Sequence, residues 1–165
     1  MKRYAIVSFV VVAFLLLNCI VCSAQSKVPH PRTVNDLPID STVRAKDENF
    51  IFQYYNIDTH VTGGIHYIRK TYHKNYIPVL ENTQQGFITL RFLINANGET
   101  GRFYVTGMDR HYRPLTFDAH ITTQIIAIAK GLQGWQPGMY MNEKRDSYYY
   151  LVFKMENGYI KDIVP

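Results

Sequence analysis

Residues 86–108 read GFITLRFLINANGETGRFYVTGM, and their patterning decides the fold. From Phe87 to Ile94 the side chains alternate. Ile88, Leu90, Phe92 and Ile94 share one face; Phe87, Thr89, Arg91 and Leu93 share the other. A period of two with one wholly apolar face is the pattern of a half-buried strand. Asn97-Gly98 supplies a hairpin signal, because both residue types tolerate the positive φ of a type I′ turn. A two-residue turn there sets Ala96 against Glu99, Phe92 against Phe103, Leu90 against Val105 and Ile88 against Gly107. In that register the two apolar faces coincide, and a slip of one residue would expose one of them.

Downstream, a turn through Arg110 to Pro114 leads to Thr116 and Asp118, either of which can cap a helix. Ile121, Ile125, Ile128, Ala129 and Leu132 then recur at helical spacing, and Gly131 is a stop signal. The isoleucine stripe is expected to pack on the apolar face of the hairpin. After Gly134-Trp135-Gln136-Pro137-Gly138 and a polar loop, Ser147–Met155 alternates again. Tyr149, Leu151, Phe153 and Met155 face one way, with Tyr148, Tyr150, Val152 and Lys154 opposite. Tyr159 to Val164 reads as a short edge strand or a tail. Trp135 reads as a plug closing the helix end, since large aromatics usually carry packing area. The expected fold is therefore α+β: a small antiparallel sheet, a hairpin plus a third strand, with a helix packed on one face.

Upstream, Gly63-Gly64 marks a turn, after which Ile65, Ile68, Tyr72 and Tyr76 form a helical stripe ending before Pro78. The spacing predicts a helix over 65–76 inside a lead-in segment, 49–85. Its other face carries His66, Arg69, Lys70, His73 and Lys74, which reads as a solvated surface. His66 and His73 lie two turns apart, too far to grip one metal ion well. Residues 25–48 hold Pro29, Pro31 and Pro38 among polar residues, with no sustained apolar period, and read as an extended tether.

Lys2 and Arg3 precede an apolar run, and Cys22-Ser23-Ala24 places small residues at the end of it. That is the pattern of a secretory signal peptide over residues 1–24. An uncleaved anchor over Tyr4–Val21 is the alternative, because the run is just long enough to span a bilayer. Cleavage before Gln25 would remove both cysteines, leaving no disulfide and no thiolate chemistry.

The whole chain has 165 residues with 47% hydrophobic, 14% aromatic and 19% charged residues, which excludes a disordered chain. Its formal charge of +5 drops by two with the signal, so nucleic-acid binding has no electrostatic support. Two histidine–carboxylate pairs stand in the chain, Asp109 with His111 and Asp118 with His120. Neither has a nucleophile at a recognisable elbow. The expectation is a non-enzymatic protein without a cofactor or a metal.

A glycine-opened strand, an Asn-Gly turn, a second strand, a helix ending in Gly-x-x-Gly-Trp-x-Pro-Gly and a final strand together resemble the TonB C-terminal domain. The matching residues are Gly86, Phe92, Asn97, Gly98, Phe103 and Val105, then Ile121, Ile125, Leu132, Trp135, Pro137 and Gly138, then Leu151 and Phe153. The resemblance covers residues 86 to about 155 and places a TonB C-terminal-like domain at 86–165. Asn97 to Phe103 and Phe153 to Gly158 also look like a small exported subgroup of Bacteroidetes-type Gram-negative bacteria.

The resemblance implies a periplasmic protein of the cell envelope, associated with the outer membrane or surface in the alternative, that binds an extended peptide by adding it as a strand. The partner would be an envelope or outer-membrane protein, or a second copy forming a homodimer through an unpaired edge. A membrane-anchored energy transducer for outer-membrane transport is the alternative function. Against it, Ser8 is followed by Val12 rather than histidine, and residues 4–21 contain no histidine. The expected binding residues are Tyr104, Tyr148, Tyr150, Val152 and Lys154, on the face opposite the core.

Overall fold

A computed structural model describes residues 42–165. The expected signal peptide, residues 1–24, and most of the expected tether, residues 25–41, lie outside the described residues. No helix among the described residues is long and apolar enough to cross a membrane.

The elements in chain order are β1 (Phe52–Gln53), a 3-10 turn (Tyr54–Asn56), β2 (His60–Val61), α1 (Gly64–Asn75), β3 (Gln85–Ile94), β4 (Thr100–Asp109) and α2 (Ala119–Lys130). There follow β5 (Trp135–Gln136), β6 (Met139–Tyr140), β7 (Glu143–Lys144), β8 (Ser147–Glu156) and β9 (Tyr159–Val164). The main sheet has five strands. β3 lies between β4 and β8, and the far side of β8 is shared by β1 at one end and β9 at the other. The three ten-residue strands pair antiparallel, and both helices pack on one face, so the fold is α+β.

The sheet is larger than the expected hairpin plus one strand. Glu156 and Tyr159 pair across the Asn157-Gly158 turn, which brings β9 back along β8. β8 is consequently an inner strand, and β4 is the long strand left at an edge. The single expected helix layer is likewise two helices. Ile68 and Tyr72 of α1 join Ile121, Ile125 and Ala129 of α2 in one core with Ile88, Leu90, Phe92, Phe103, Leu151 and Phe153. Full burial of each such side chain is worth about 1.5–3 kcal/mol. The Tyr72 hydroxyl donates to the Ile125 carbonyl at 2.8 Å and ties the helices together. Asp118 caps α2 by accepting from the His120 amide at 2.7 Å. Trp135 closes the core end, its ring 5.4 Å from Phe92 and 4.8 Å from Tyr149.

The hairpin keeps its expected register in the body, with Leu90 opposite Val105 and Ile88 opposite Gly107. Its turn differs. Asn97 does not take the positive φ that a type I′ turn requires, whereas Gly98 does, at 82°. The Asn95 amide pairs with the Glu99 carbonyl, closing a three-residue loop, Ala96–Gly98. The reason is the Asn95 side chain. Its oxygen accepts from the Asn97 and Glu99 amides at 3.0 Å each, and its nitrogen donates to the Glu99 carboxylate at 2.6 Å. The extra loop residue shifts the pairing by one, so Ile94 meets Thr100. A bulge at Arg102, which sits at φ 54°, restores the register by Tyr104.

Candidate functional site

The sheet has one face under the helices and one without a helix. Because strand side chains alternate, Tyr104, Tyr148, Tyr150, Val152 and Lys154 all stand on the helix-free face. The register arranges that face in rows. Tyr104, Arg91 and Tyr150 form one row across three strands. Thr106, Thr89 and Val152 form the next, and Met108, Phe87 and Lys154 the one beyond. The three tyrosines and Val152 are half-buried, and Lys154 is exposed.

Arg91 is the centre of the arrangement. Its guanidinium carbon is 3.6 Å from the Tyr148 ring centre, 5.7 Å from Tyr104 and 5.9 Å from Tyr150. Such cation–π contacts are worth about 0.5–2 kcal/mol depending on exposure. The Tyr104 contact could have been read from the hairpin register, which sets Arg91 opposite Tyr104. The Tyr148 and Tyr150 contacts depend on the pairing of β3 with β8, for which there is no local signal.

Both ends of this face are closed. At the hairpin end Gly101 opposes Leu93, and a Cβ at Gly101 would lie 2.6 Å from Val43 Cβ, so only glycine lets residue 43 pack there. Arg102 holds this segment by donating through Nε to the Val43 carbonyl at 3.0 Å and through Nη1 to Glu48 at 2.7 Å. That side-chain bond to Arg102 is the largest influence on Glu48 and holds its carboxyl below the usual range. Residues 42–48, the last part of the expected tether, are thus docked on the sheet. At the other end Phe87 stacks on Tyr112, centres 5.7 Å apart.

The outer edge of β4 is covered at its C-terminal end. Leu115 donates to the Gly107 carbonyl at 3.0 Å, and Asp109 donates to Arg113 at 2.8 Å. Backbone direction alternates along a strand, so Val105 is the next residue facing outward. Among the described residues its backbone has no partner on that side. The uncovered edge therefore includes Val105 and lies directly beside Tyr104.

The histidine–carboxylate pairs are both turn and cap devices. Asp109 accepts from the backbone of His111 at 2.7 Å and of Arg113 at 3.0 Å, and from Arg113 Nε at 2.8 Å. These bonds, that from the Arg113 backbone foremost, hold its carboxyl at about 2. Asp118 is spent on the cap of α2. His66 and His73 are exposed on α1. Among the described residues no three His, Cys, Asp or Glu side chains form a group that could hold a metal. A cleft of about 200 Å³ between α1 and β9, lined by Tyr72, His73, Tyr76, Tyr159 and Ile160, is below the size range of small-molecule pockets, about 300–1,000 Å³.

Comparison with family models, with curated proteins and with solved structures finds no match for this chain.

Proposed function

We propose that this chain is an exported, non-enzymatic protein-binding module of the cell envelope, with a TonB C-terminal-like domain, that takes an extended peptide along the edge of β4. The observation that carries this reading is the uncovered β4 edge at Val105, flanked by the tyrosine face. The order α1, β3, β4, α2, β8 supports the TonB-like reading, since it follows the helix, strand, strand, helix, strand order of the resemblance.

Magnitudes say how such a site must work. Two or three main-chain hydrogen bonds contribute about 0.5–1.5 kcal/mol each. Their sum, about 1–4.5 kcal/mol, reaches the 4.1 kcal/mol of a millimolar complex only at its upper limit. The edge alone aligns a peptide, and the side chains of Tyr104, Tyr148, Tyr150 and Arg91 must supply the rest. The partner is an envelope or outer-membrane protein with an extended segment, and the location is the periplasm.

A photo-crosslinking residue at Thr106, exposed at the rim of the site, tests this in the native envelope, with Thr123 on α2 as the control position. The expected result is one discrete partner at Thr106, mapped to a continuous extended segment, and none at Thr123. The same products from both positions, or none from Thr106, would overturn the reading.

A further inference from the structure

The half-buried arginines of this domain follow a rule. Arg69 pairs with Asp162 at 2.9 Å, Arg102 with Glu48, and Arg145 with Glu143 at 3.0 Å. Arg91 is half-buried as well, and it has no carboxylate partner among the described residues. Its Nε is buried with no hydrogen-bond partner in the protein. The rows on either side of it, Thr106–Thr89–Val152 and Gly101–Leu93–Tyr148, contain no carboxylate. Glu48, at the hairpin end, is already held by two bonds from Arg102.

A buried Nε without an acceptor is costly, and the two Nη groups, which are not buried with it, have no protein acceptor among the described residues. Ring faces answer the guanidinium's charge but not its in-plane donors, which point along the plane of the fork. At 3.6 Å from the Tyr148 ring centre the guanidinium is held against that ring. A fork held against that ring, with its Nη donors unmet, is suited to a planar, bidentate anion such as a carboxylate. The position selects further. Arg91 pairs with Tyr104, whose neighbour Val105 offers the free main-chain groups. An occupant meeting both is a polypeptide with an acidic side chain.

We propose that Arg91 is the residue that reads the partner of this face, and that the segment docked along β4 carries an Asp or Glu whose carboxylate meets the Arg91 guanidinium. This rests on the edge-binding reading above and names the chemistry it selects.

The test uses the purified protein, isotope-labelled, and two blocked pentapeptides, acetyl-Thr-Val-Asp-Val-Thr-amide and its Asn counterpart. NMR follows the Arg91 Nε–H signal and the Val105 amide separately. The expected result is saturable movement of both signals with the Asp peptide, and binding at least tenfold weaker with the Asn peptide. Arg91→Lys keeps the charge but loses the fork, and is expected to lose tenfold or more for the Asp peptide only. Arg91→Met, which keeps the stem over the tyrosines, is expected to bind both peptides equally weakly while leaving the fold's spectrum unchanged.

Equal binding of the two peptides with movement only at Val105 overturns the role of Arg91 and leaves the edge reading standing. Movement of Arg91 alone, matched by glutarate or by a polyuronate, overturns the peptide as occupant and marks a general anion or acidic-glycan site. Movement of both signals on raising protein concentration without peptide assigns the face to a second copy and overturns the proposal. No movement of either signal at millimolar peptide overturns both.

Discussion

Replacement of Asp146 is the sharpest test of how the hairpin end is held together. Asp146 is 1% exposed. Its Oδ2 accepts from the Lys46 amide at 2.7 Å and, at a longer 3.4 Å, from that of Asp47. Its Oδ1 accepts from the Ala96 amide at 2.8 Å. Its own carbonyl accepts from Phe52, which starts β1. One side chain therefore joins the incoming segment, the hairpin loop and the start of β8. A hydrogen bond to a charged group contributes about 1.5–3 kcal/mol. Two good ones give about 3–6 kcal/mol, and partial exposure of the freed amides in the variant brings the expected loss for Asp146→Ala to about 3–4 kcal/mol. For a domain of this size that lowers Tm by about 10–15 °C. Asp146→Asn retains one acceptor but turns an NH₂ group toward the other amide, so its loss should fall between parent and Ala. Urea unfolding measures both, with the midpoint falling at constant slope. Hydrogen exchange should quicken first at Ala96 and Lys46. A loss below 1 kcal/mol for Ala, or parental stability for Asn, would refute the reasoning.

Four further outcomes are expected. The Asp109 carboxyl should titrate by ¹³C NMR with a midpoint near pH 2, where the Arg113 backbone amide above all holds it. A depressed carboxyl stabilises the turn fully above its unfolded pKa and loses that contribution as pH falls through about 2, and Arg113→Ala should raise the midpoint. Burial, helped by Asp118 at Tyr76 and by Tyr54 at Tyr149, pushes both phenols up to about 12, and burial pushes Tyr72 higher still. Absorbance at 295 nm should therefore show these tyrosines ionising after the rest. The stability linked to their neutral forms is complete below about pH 10 and lost as pH rises through 12. Gly101→Val places a side chain where Val43 packs, so it should cost about 1–3 kcal/mol and expose the chain before Phe50 to protease. Ile125→Ala, fully buried between the helices and the sheet, should cost about 3–4 kcal/mol by denaturant titration.

What the sequence made legible follows the range of each signal. The stripes of α1 and α2 and the cap at Asp118 are written within a dozen residues, and the structure has them in place. The alternation of β3, β4 and β8 is equally local, so the parity of Tyr104, Tyr148 and Tyr150 could be read without a partner strand. The Asn97-Gly98 turn went wrong because a second asparagine, Asn95, stands two residues earlier. Its side chain closes a longer loop, and nothing in the dipeptide reveals which asparagine wins. The two-residue strands β1, β2, β5, β6 and β7 are too short to carry a period, and exist only through their partners.

The centre of the site belongs to a third range. Parity says that Arg91 shares a face with the tyrosines, but only register says that it stands among them. The register of β3 against β4 is set by a loop of three residues and a bulge. The register of β3 against β8 spans the whole of α2 and the Trp135 connection. It is fixed by how the apolar set Tyr149, Leu151, Phe153 and Met155 seats against Phe92, Leu90, Ile88 and the helices. A shift of two residues would preserve every in/out assignment, which is why alternation cannot detect it. It would also move Arg91 off Tyr150 and leave Trp135 without Tyr149. Core packing under the sheet therefore decides what stands above it, and a mutation that slips β8 by two should abolish the proposed peptide binding while leaving each strand's amphipathic pattern intact.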